Sequence, residues 1–246
     1  MKIEGCVALV TGANRGLGKA YTEALLAAGA AKVYAGARDP SSVAGPGLTP
    51  IKLDVTSASD VAAAAARCGD VSLLVNNAGI LLMRPMLAED AEAAMRREME
   101  VNVYGTLAMV RAFAPILARN GGGAIVDVLS TVSWFVVPFQ ATYCASKHAA
   151  LAVTDAARIE LKAQGTQVVG VYAGYIDTEM AAQVAQAKTS PREVAERTLD
   201  GIRAGEDHVL VGARARDVWQ AMRTDPGQMA QQMQRLWDER ARPRTS

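Results

Sequence analysis

The stretch CVALVTGANRGLG, residues 6–18, opens with an unbroken apolar run from Cys6 to Val10 and passes at once into a glycine-rich turn. A continuous apolar run of strand length suits a strand covered on both faces, as in a parallel sheet. KAYTEALLAAGA follows and reads as a helix ending near Gly29, and Ala31–Ala37 reads as a second strand. Strand, glycine turn, helix, strand is the start of a mononucleotide-binding unit. Gly12, Gly16 and Gly18 provide a tight reversal, backbone close to a pyrophosphate, and free N–H groups at a helix N-terminus. Asn14, Arg15 and Leu17 lie between them and join them as candidate cofactor contacts. Three glycines alone make only a turn; between a strand and a helix they make a phosphate cradle.

The alternation continues outward from this unit. Ile51–Val55 reads as a third strand, followed by an Ala-rich helix over 56–67 capped by Thr56 or Ser57. Val71–Val75 is a fourth strand, ending in Asn76-Asn77-Ala78-Gly79. Glu89–Asn120 is helical, broken near Val101-Asn102, and Ala124–Leu129 is a fifth strand. A long helix over 142–164 leads to a sixth strand, Gln167–Ala173. Pro191–Ala204 is a helix with Ser190 as N-cap, and His208–Val211 is a short last strand. The pattern predicts an α/β fold: a Rossmann-like, doubly wound parallel sheet of about seven strands between two helix layers. One domain is expected over 1–246, with a C-terminal extension at about 213–246. Residues 179–189, rich in Ala, Gln and Met, are expected to form a mobile helical lid. In the extension, Met229, Met233, Leu236 and Trp237 are spaced for one amphipathic helix over 228–240, packing on the domain or on a partner subunit.

Composition narrows the function classes. Half of the 246 residues are apolar and 21% are charged, so a packed core is expected. With 26 basic and 25 acidic residues the net charge is +1, which argues against a nucleic-acid or membrane-surface footprint. Cys6, Cys68 and Cys144 are far apart, without a C-x-x-C pair, so neither a disulfide framework nor a metal site is expected. A reducing, cytoplasmic compartment is the expectation, with no leader or spanning segment.

The second strand ends in Gly36-Ala37-Arg38-Asp39. NAD-binding chains usually carry an acid near this point to hold the ribose hydroxyls. Here Arg38, with Arg15 from the glycine turn, suits the 2′-phosphate of NADP(H), which a guanidinium grips with two parallel hydrogen bonds. Asp39 is the rival, one residue away. Asp54, at the end of the third strand, is either a solvated carboxylate or an acceptor for the adenine amino group. Further along, ATYCASKHA (141–149) places Tyr143 and Lys147 one helical turn apart on one face. A phenol has a pKa of about 10, and a nearby ammonium favours its phenolate. The pair is therefore either an ordinary helix-surface contact or a proton donor and acceptor for a carbonyl and its alcohol. Ser130 stands at the C-terminal end of the fifth strand, where open α/β sheets bind ligands, and Asn102 is an amide among apolar helical positions. The loop TVSWFVVPFQ (131–140) is a candidate lining for a hydrophobic or aryl substrate.

TGANRGLG (11–18), LDVT (53–56), NNAG (76–79), Asn102 in VNVYG, Ser130 in VDVLSTVSW, YCASK (143–147) and AGYIDT (173–178) together resemble the short-chain dehydrogenase/reductase family. The resemblance covers about residues 4–212 and implies NADP(H)-dependent interconversion of a ketone or aldehyde and its alcohol. It implies Tyr143 as general acid/base, Lys147 as the group that lowers its pKa and holds the nicotinamide ribose, and Ser130 as donor to the carbonyl oxygen, with Ser133 a rival. Asn102 would hold a water relaying protons from Lys147. Gly12, Arg15, Leu17 and Arg38 would hold the phosphates, and Asp54 and Val55 the adenine. Asn77, Ala78 and Gly79 would hold the adenosine ribose region, and Ile176 and Thr178, beside Gly174, the carboxamide. A homodimer or homotetramer is implied. Two positions depart from the family: Ala173-Gly174 where Pro-Gly is common, and Cys144 where Ser is common. Two further readings remain: a non-catalytic dinucleotide-binding regulator or scaffold, and an epimerase or dehalogenase on the same fold.

Overall fold

A computed structural model describes residues 1–241. Among them, seven parallel strands form one sheet: β1 (Val7–Thr11), β2 (Lys32–Ala37), β3 (Leu48–Lys52), β4 (Leu73–Asn76), β5 (Gly123–Val128), β6 (Thr166–Ala173) and β7 (His208–Val211). Their spatial order is β3-β2-β1-β4-β5-β6-β7, so the winding reverses between β1 and β4 and opens a crevice at the strands' C-terminal ends. The helices are α1 (Gly16–Ala27), α2 (Ala58–Arg67), α3 (Ala91–Met99), α4 (Thr106–Arg119), α5 (Ala141–Glu160), α6 (Pro191–Ala204), α7 (Gly212–Thr224) and α8 (Pro226–Ala241).

The apolar run of β1 serves two cores at once. Ala8 and Val10 join the layer that includes Tyr21, Leu25, Leu199 and Ile202 of α1 and α6. Leu9, between them, faces Met109, Phe113 and Leu117 of α4 on the other side. Alternate side chains leave a strand on opposite faces, so a central strand needs apolar residues at every position. By composition the helical run 91–119 is long and apolar enough to cross a bilayer. Here Met109, Phe113 and Leu117 are fully buried against the sheet, as in a core helix.

Close packing also explains the glycine turn. Gly12 and Gly16 hold φ of 64° and 52°, a region that side chains with a Cβ avoid. Gly18 has another reason to be glycine: a Cβ there would stand 2.0 Å from the Gly12 carbonyl oxygen and 2.6 Å from Asn77 Nδ2. The helix can start this close to the strand end only without that atom.

Three elements differ from the sequence reading. β3 begins at Leu48, not Ile51, and contains Pro50. It is an edge strand paired with β2 alone, so the missing N–H of proline is tolerated there. Residues 179–189 are not a helix; they form one short turn, Glu179–Ala181, with Ala181 and Val184 as the buried apolar contacts. Two apolar anchors are too few to hold a short helix against the domain. The neck of this segment is tied instead, with the Thr189 N–H donating to the Tyr175 carbonyl and the Asp177 N–H to Thr189, both at 2.9 Å. The helix expected over 228–240 is present as α8, and α7, which the sequence reading did not place, precedes it. α7 buries Ala215 and Val218, while α8 lays Met229 and Met233 against the cluster of Phe135, Val137 and Cys144. Phe139 stacks on Trp237 of α8 at 5.1 Å, so this helix packs on its own chain.

Gly18→Ala is expected to lower unfolding stability by about 1–3 kcal/mol, the usual cost of overpacking. Denaturant unfolding checks this; an unchanged midpoint with an unchanged slope would show that the turn relaxes freely.

Candidate active site

A cavity of about 630 Å³ occupies the crevice over the β1–β4 switch point. Of the cofactor contacts read from the sequence, all but Gly18 line it: Gly12, Asn14, Arg15, Gly16, Leu17, Arg38, Asp54, Val55, Asn77, Ala78, Gly79, Tyr143, Lys147, Gly174, Ile176 and Thr178. Ser130 lines it as well. Gly18 supports the turn from behind, and Asn102 stands one layer back.

At the glycine end the residues fit a dinucleotide phosphate. The N-terminus of α1 opens there, with left-handed Gly12 and Gly16 removing side-chain bulk from the approach. Arg38 lies on this wall. Arg15 forms an ion pair with Glu179, and both side chains are largely exposed. Such a pair is worth about 0–1 kcal/mol and yields easily to a phosphate. Asp39, the rival for the ribose, is held in a turn: its Oδ1 accepts from the Ser41 N–H at 3.0 Å and the Ser41 hydroxyl at 2.7 Å. Asp54 is similarly engaged, accepting from the Thr56 N–H at 3.0 Å and hydroxyl at 2.7 Å, which keep its carboxyl below the usual range. Asn77, which lines the cavity, also braces the turn: its Nδ2 donates to the Thr11 and Gly12 carbonyls at 2.9 and 3.3 Å.

At the other end α5 presents Tyr143, Lys147, Ala150 and Thr154 along one face. The Lys147 ammonium is buried, donates to the Val128 carbonyl at 2.8 Å and lies 5.7 Å from the centre of the Tyr143 ring. Burial lowers its pKa from 10.5 to about 8, and the charge of Asp127 acts in the opposite sense. Asp127 is itself buried on β5, where Asn76 Nδ2 and the Thr154 hydroxyl each lie 2.8 Å from its carboxyl oxygens. An acid inside the apolar run AIVDVL was a legible signal of a buried charge partner, and sequence reasoning passed over it.

The Tyr143 phenol departs from expectation. Burial pushes its pKa well above the ordinary value, the charges of Cys144 and Glu98 act in the same direction, and a hydrogen bond with Ser130 opposes them. Lys147, turned toward Val128 and itself desolvated, does not offset that burial. Ser130 Oγ accepts from the Val132 N–H at 3.3 Å and stands beside the phenol. Its rival Ser133 is buried outside the lining.

Asn102 sits in a π-helical segment, Glu100–Gly105, between α3 and α4. Its side chain accepts from the Ile80 N–H at 2.8 Å and donates to the Ile80 carbonyl at 2.9 Å and to Ser146 Oγ at 3.0 Å. It clamps the loop after β4. In the aromatic loop Trp134 stacks on Tyr172 at 4.2 Å and Phe139 packs on Trp237. Thr131, Val132, Val137 and Gln140 reach the main cavity, while Phe135 lines a second, apolar cavity of about 590 Å³ with Met229, Met233 and Trp237 of α8. Sequence reasoning also missed Arg214 of α7, whose guanidinium lies 5.9 Å from the Tyr175 ring on the cavity wall; nothing in the tail's sequence marked it. Cys144 and His148 do not pair through the thiol: the ring nitrogen meets the Cys144 carbonyl, and the sulfur holds the Val137 backbone.

The folded pKa of Lys147, about 8, lies below its unfolded value, so its buried charge destabilises the fold at lower pH. That penalty fades as pH rises from about 8 toward 10.4, where the unfolded lysine loses its proton too. The stability of Lys147→Met relative to wild type is therefore expected to be greatest at about pH 7–8 and to fall by on the order of 2 kcal/mol as pH rises toward about 10.4. Chemical unfolding of both proteins across this range checks it, and a gap independent of pH would contradict it.

Comparison with known proteins agrees with this architecture. The family profile described as short chain dehydrogenase matches residues 6–189. A sorbitol dehydrogenase from Cereibacter sphaeroides is 32% identical over 189 residues, 73% of each chain. A short chain dehydrogenase from Burkholderia cenocepacia J2315, solved in complex with NADP, is 46% identical with a TM-score of 0.91, covering 95% of this chain and 99% of that one. A 3-ketoacyl-(acyl-carrier-protein) reductase from Brucella melitensis, solved with NADH, is 29% identical with a TM-score of 0.75, covering 84% and 96%. With the parallel sheet, the glycine cradle and the Ser130–Tyr143–Lys147 cluster on one cavity, the chain belongs to the short-chain dehydrogenase/reductase family of oxidoreductases.

Proposed function

We propose that this protein interconverts a ketone or aldehyde and its alcohol with NADP(H), using Tyr143 as general acid/base within one nucleotide-binding domain. The observation that carries the reading is one cavity with a phosphate cradle at one end and Ser130, Tyr143 and Lys147 at the other. A non-catalytic regulator would have no use for a desolvated ammonium beside a phenol.

When bound, the nicotinamide supplies or accepts the hydride at the carbonyl carbon. The Tyr143 hydroxyl gives its proton to the substrate oxygen during reduction and takes it back during oxidation. The Ser130 hydroxyl donates to the same oxygen and stabilises charge as it develops. Lys147, protonated below about pH 8, favours the phenolate that reduction leaves behind. Arg38 and Arg15, once released from Glu179, hold the 2′-phosphate, and the glycine turn holds the pyrophosphate. Val55 and Asp54 border the adenine, Ala78 and Gly79 the adenosine ribose, and Ile176 and Thr178 the carboxamide. The family includes proteins solved with NADP and with NADH, so the coenzyme preference rests on Arg38 and on the engagement of Asp39 in its own turn.

For the substrate, Val132, Val137 and Gln140, with Arg214 opposite, make a wall of mixed polarity suited to a small carbonyl compound bearing polar groups. A homodimer or homotetramer in the cytoplasm fits the family, the balanced charge and the three free, buried cysteines.

NADPH oxidation is to be followed with fructose, a 3-ketoacyl thioester and acetophenone, with NADH in parallel. Turnover is expected with NADPH on at least one carbonyl, and Tyr143→Phe is expected to cut it by about 10²–10⁴ while leaving NADPH affinity nearly unchanged. Near-normal turnover in that variant would sink the general-acid role. Arg38→Asp is expected to weaken NADPH binding about tenfold or more without weakening NADH, through loss of a charge-assisted contact. An unchanged NADPH/NADH ratio would remove Arg38 from the phosphate site.

A further inference from the structure

Asn102 and Glu98 stand four positions apart on the helical run that passes behind the cavity. Both direct their side chains at the loop that leaves β4. Asn102 takes the N–H and carbonyl of Ile80, and Glu98 Oε1 accepts the Leu82 N–H at 2.7 Å. Ile80 and Leu81, held between these two grips, line the cavity. Glu98 exposes no surface to solvent. Its second oxygen, Oε2, and the Thr142 hydroxyl are both buried without a good hydrogen bond among the described residues. The Thr142 hydroxyl eases ionisation of the carboxyl, against the larger effect of burial. Thr142 is the residue before Tyr143, and its N–H donates to the Arg84 carbonyl at 3.3 Å, so loop and helix meet at this point.

We propose that Glu98 is a positioning residue of this active site: its carboxyl clamps the 80–82 wall to the start of α5 and sets the charge behind the Tyr143 phenol. The inference rests on the proton-transfer reading of Tyr143. An acid with no access to water is retained at a cost unless its hydrogen bonds are used, and here one oxygen is used and the other faces a hydroxyl. A hydrogen bond between Oε2 and Thr142 Oγ1 would satisfy both orphans, with the hydroxyl donating to the ionised carboxyl or the protonated carboxyl donating to the hydroxyl. Ionised, it adds a negative charge that opposes formation of the Tyr143 phenolate. The charged and titratable groups acting on it are Arg84 from the loop, which favours its ionisation, and Tyr143 and Cys144 from α5. Burial is the larger influence and holds its pKa above the carboxylate norm.

The test compares Glu98→Gln and Glu98→Ala with wild type and Tyr143→Phe. It uses NADP⁺-dependent oxidation of sorbitol, gluconate and 1-phenylethanol across pH, and hydrogen exchange at the Leu82 amide. Glutamine keeps the acceptor for Leu82 and gains a donor for Thr142, but carries no charge. Glu98→Gln is expected to retain Leu82 protection and near-normal KM, with the alkaline-rising limb of oxidation moved to lower pH because the opposing charge is gone. Glu98→Ala is expected to lose Leu82 protection and to raise KM by about tenfold, more than it lowers kcat. An unmoved limb in Glu98→Gln would overturn the electrostatic role, and unchanged Leu82 exchange in Glu98→Ala would overturn the clamp. Turnover persisting in Tyr143→Phe would instead overturn the reading of Tyr143. The exchange measurement needs no turnover and judges the clamp in either case.

Discussion

The buried ammonium of Lys147 is the constraint on which the rest of the site depends. Taking a lysine out of water is costly unless its protons have acceptors and its charge has a partner. The structure meets that demand from the sheet itself. Val128 gives its carbonyl, and Asp127, the preceding residue on β5, gives a countercharge. Asp127 is in turn held by Asn76 of β4 and Thr154 of α5. Two adjacent strands and one helix are thereby tied together around a single cation at the edge of the cavity. The same face of α5 carries Tyr143, so whatever fixes Lys147 also fixes the phenol.

The opposite end of the cavity answers a different constraint, the close approach of backbone to backbone. Gly18 lets α1 begin against the end of β1, and Asn77 crosses from the β4 loop to bond the Thr11 and Gly12 carbonyls. Behind both ends, Asn102 and Glu98 fix the loop that joins them. Side chains that a motif list would assign to ligand contact are in part structural members that shape the space the ligand occupies.

Much of this was legible in the sequence, for identifiable reasons. Strands buried on both faces read as largely apolar runs, so β1, β6 and, despite its Asp127, β5 stood out. The turn at 12–18 was readable because only glycine fits there, and the Tyr143–Lys147 spacing placed two chemical groups on one helix face. Other features were not legible, because they depend on partners distant in the chain. The start of the third strand was one: β3 begins before Ile51 and takes in Pro50, which only its place at the sheet edge allows. Trp134 and Phe139 looked like pocket residues, but Tyr172 and Trp237 were waiting to stack on them. Asn77 and Asn102 had the right identities for the site, and their amides also bond the backbone of other segments. The effect of Lys147 on Tyr143 was expected from spacing alone, whereas burial of both groups decides their free-protein pKa values.

The claim that the site is organised around a desolvated cation is open to direct measurement. The pKa of Lys147 can be read by NMR titration of lysine labelled at Cε, with the signal assigned by its absence in Lys147→Met. The account predicts a transition near pH 8 in the nucleotide-free protein. A transition at about 10.4, the ordinary lysine value, would contradict it.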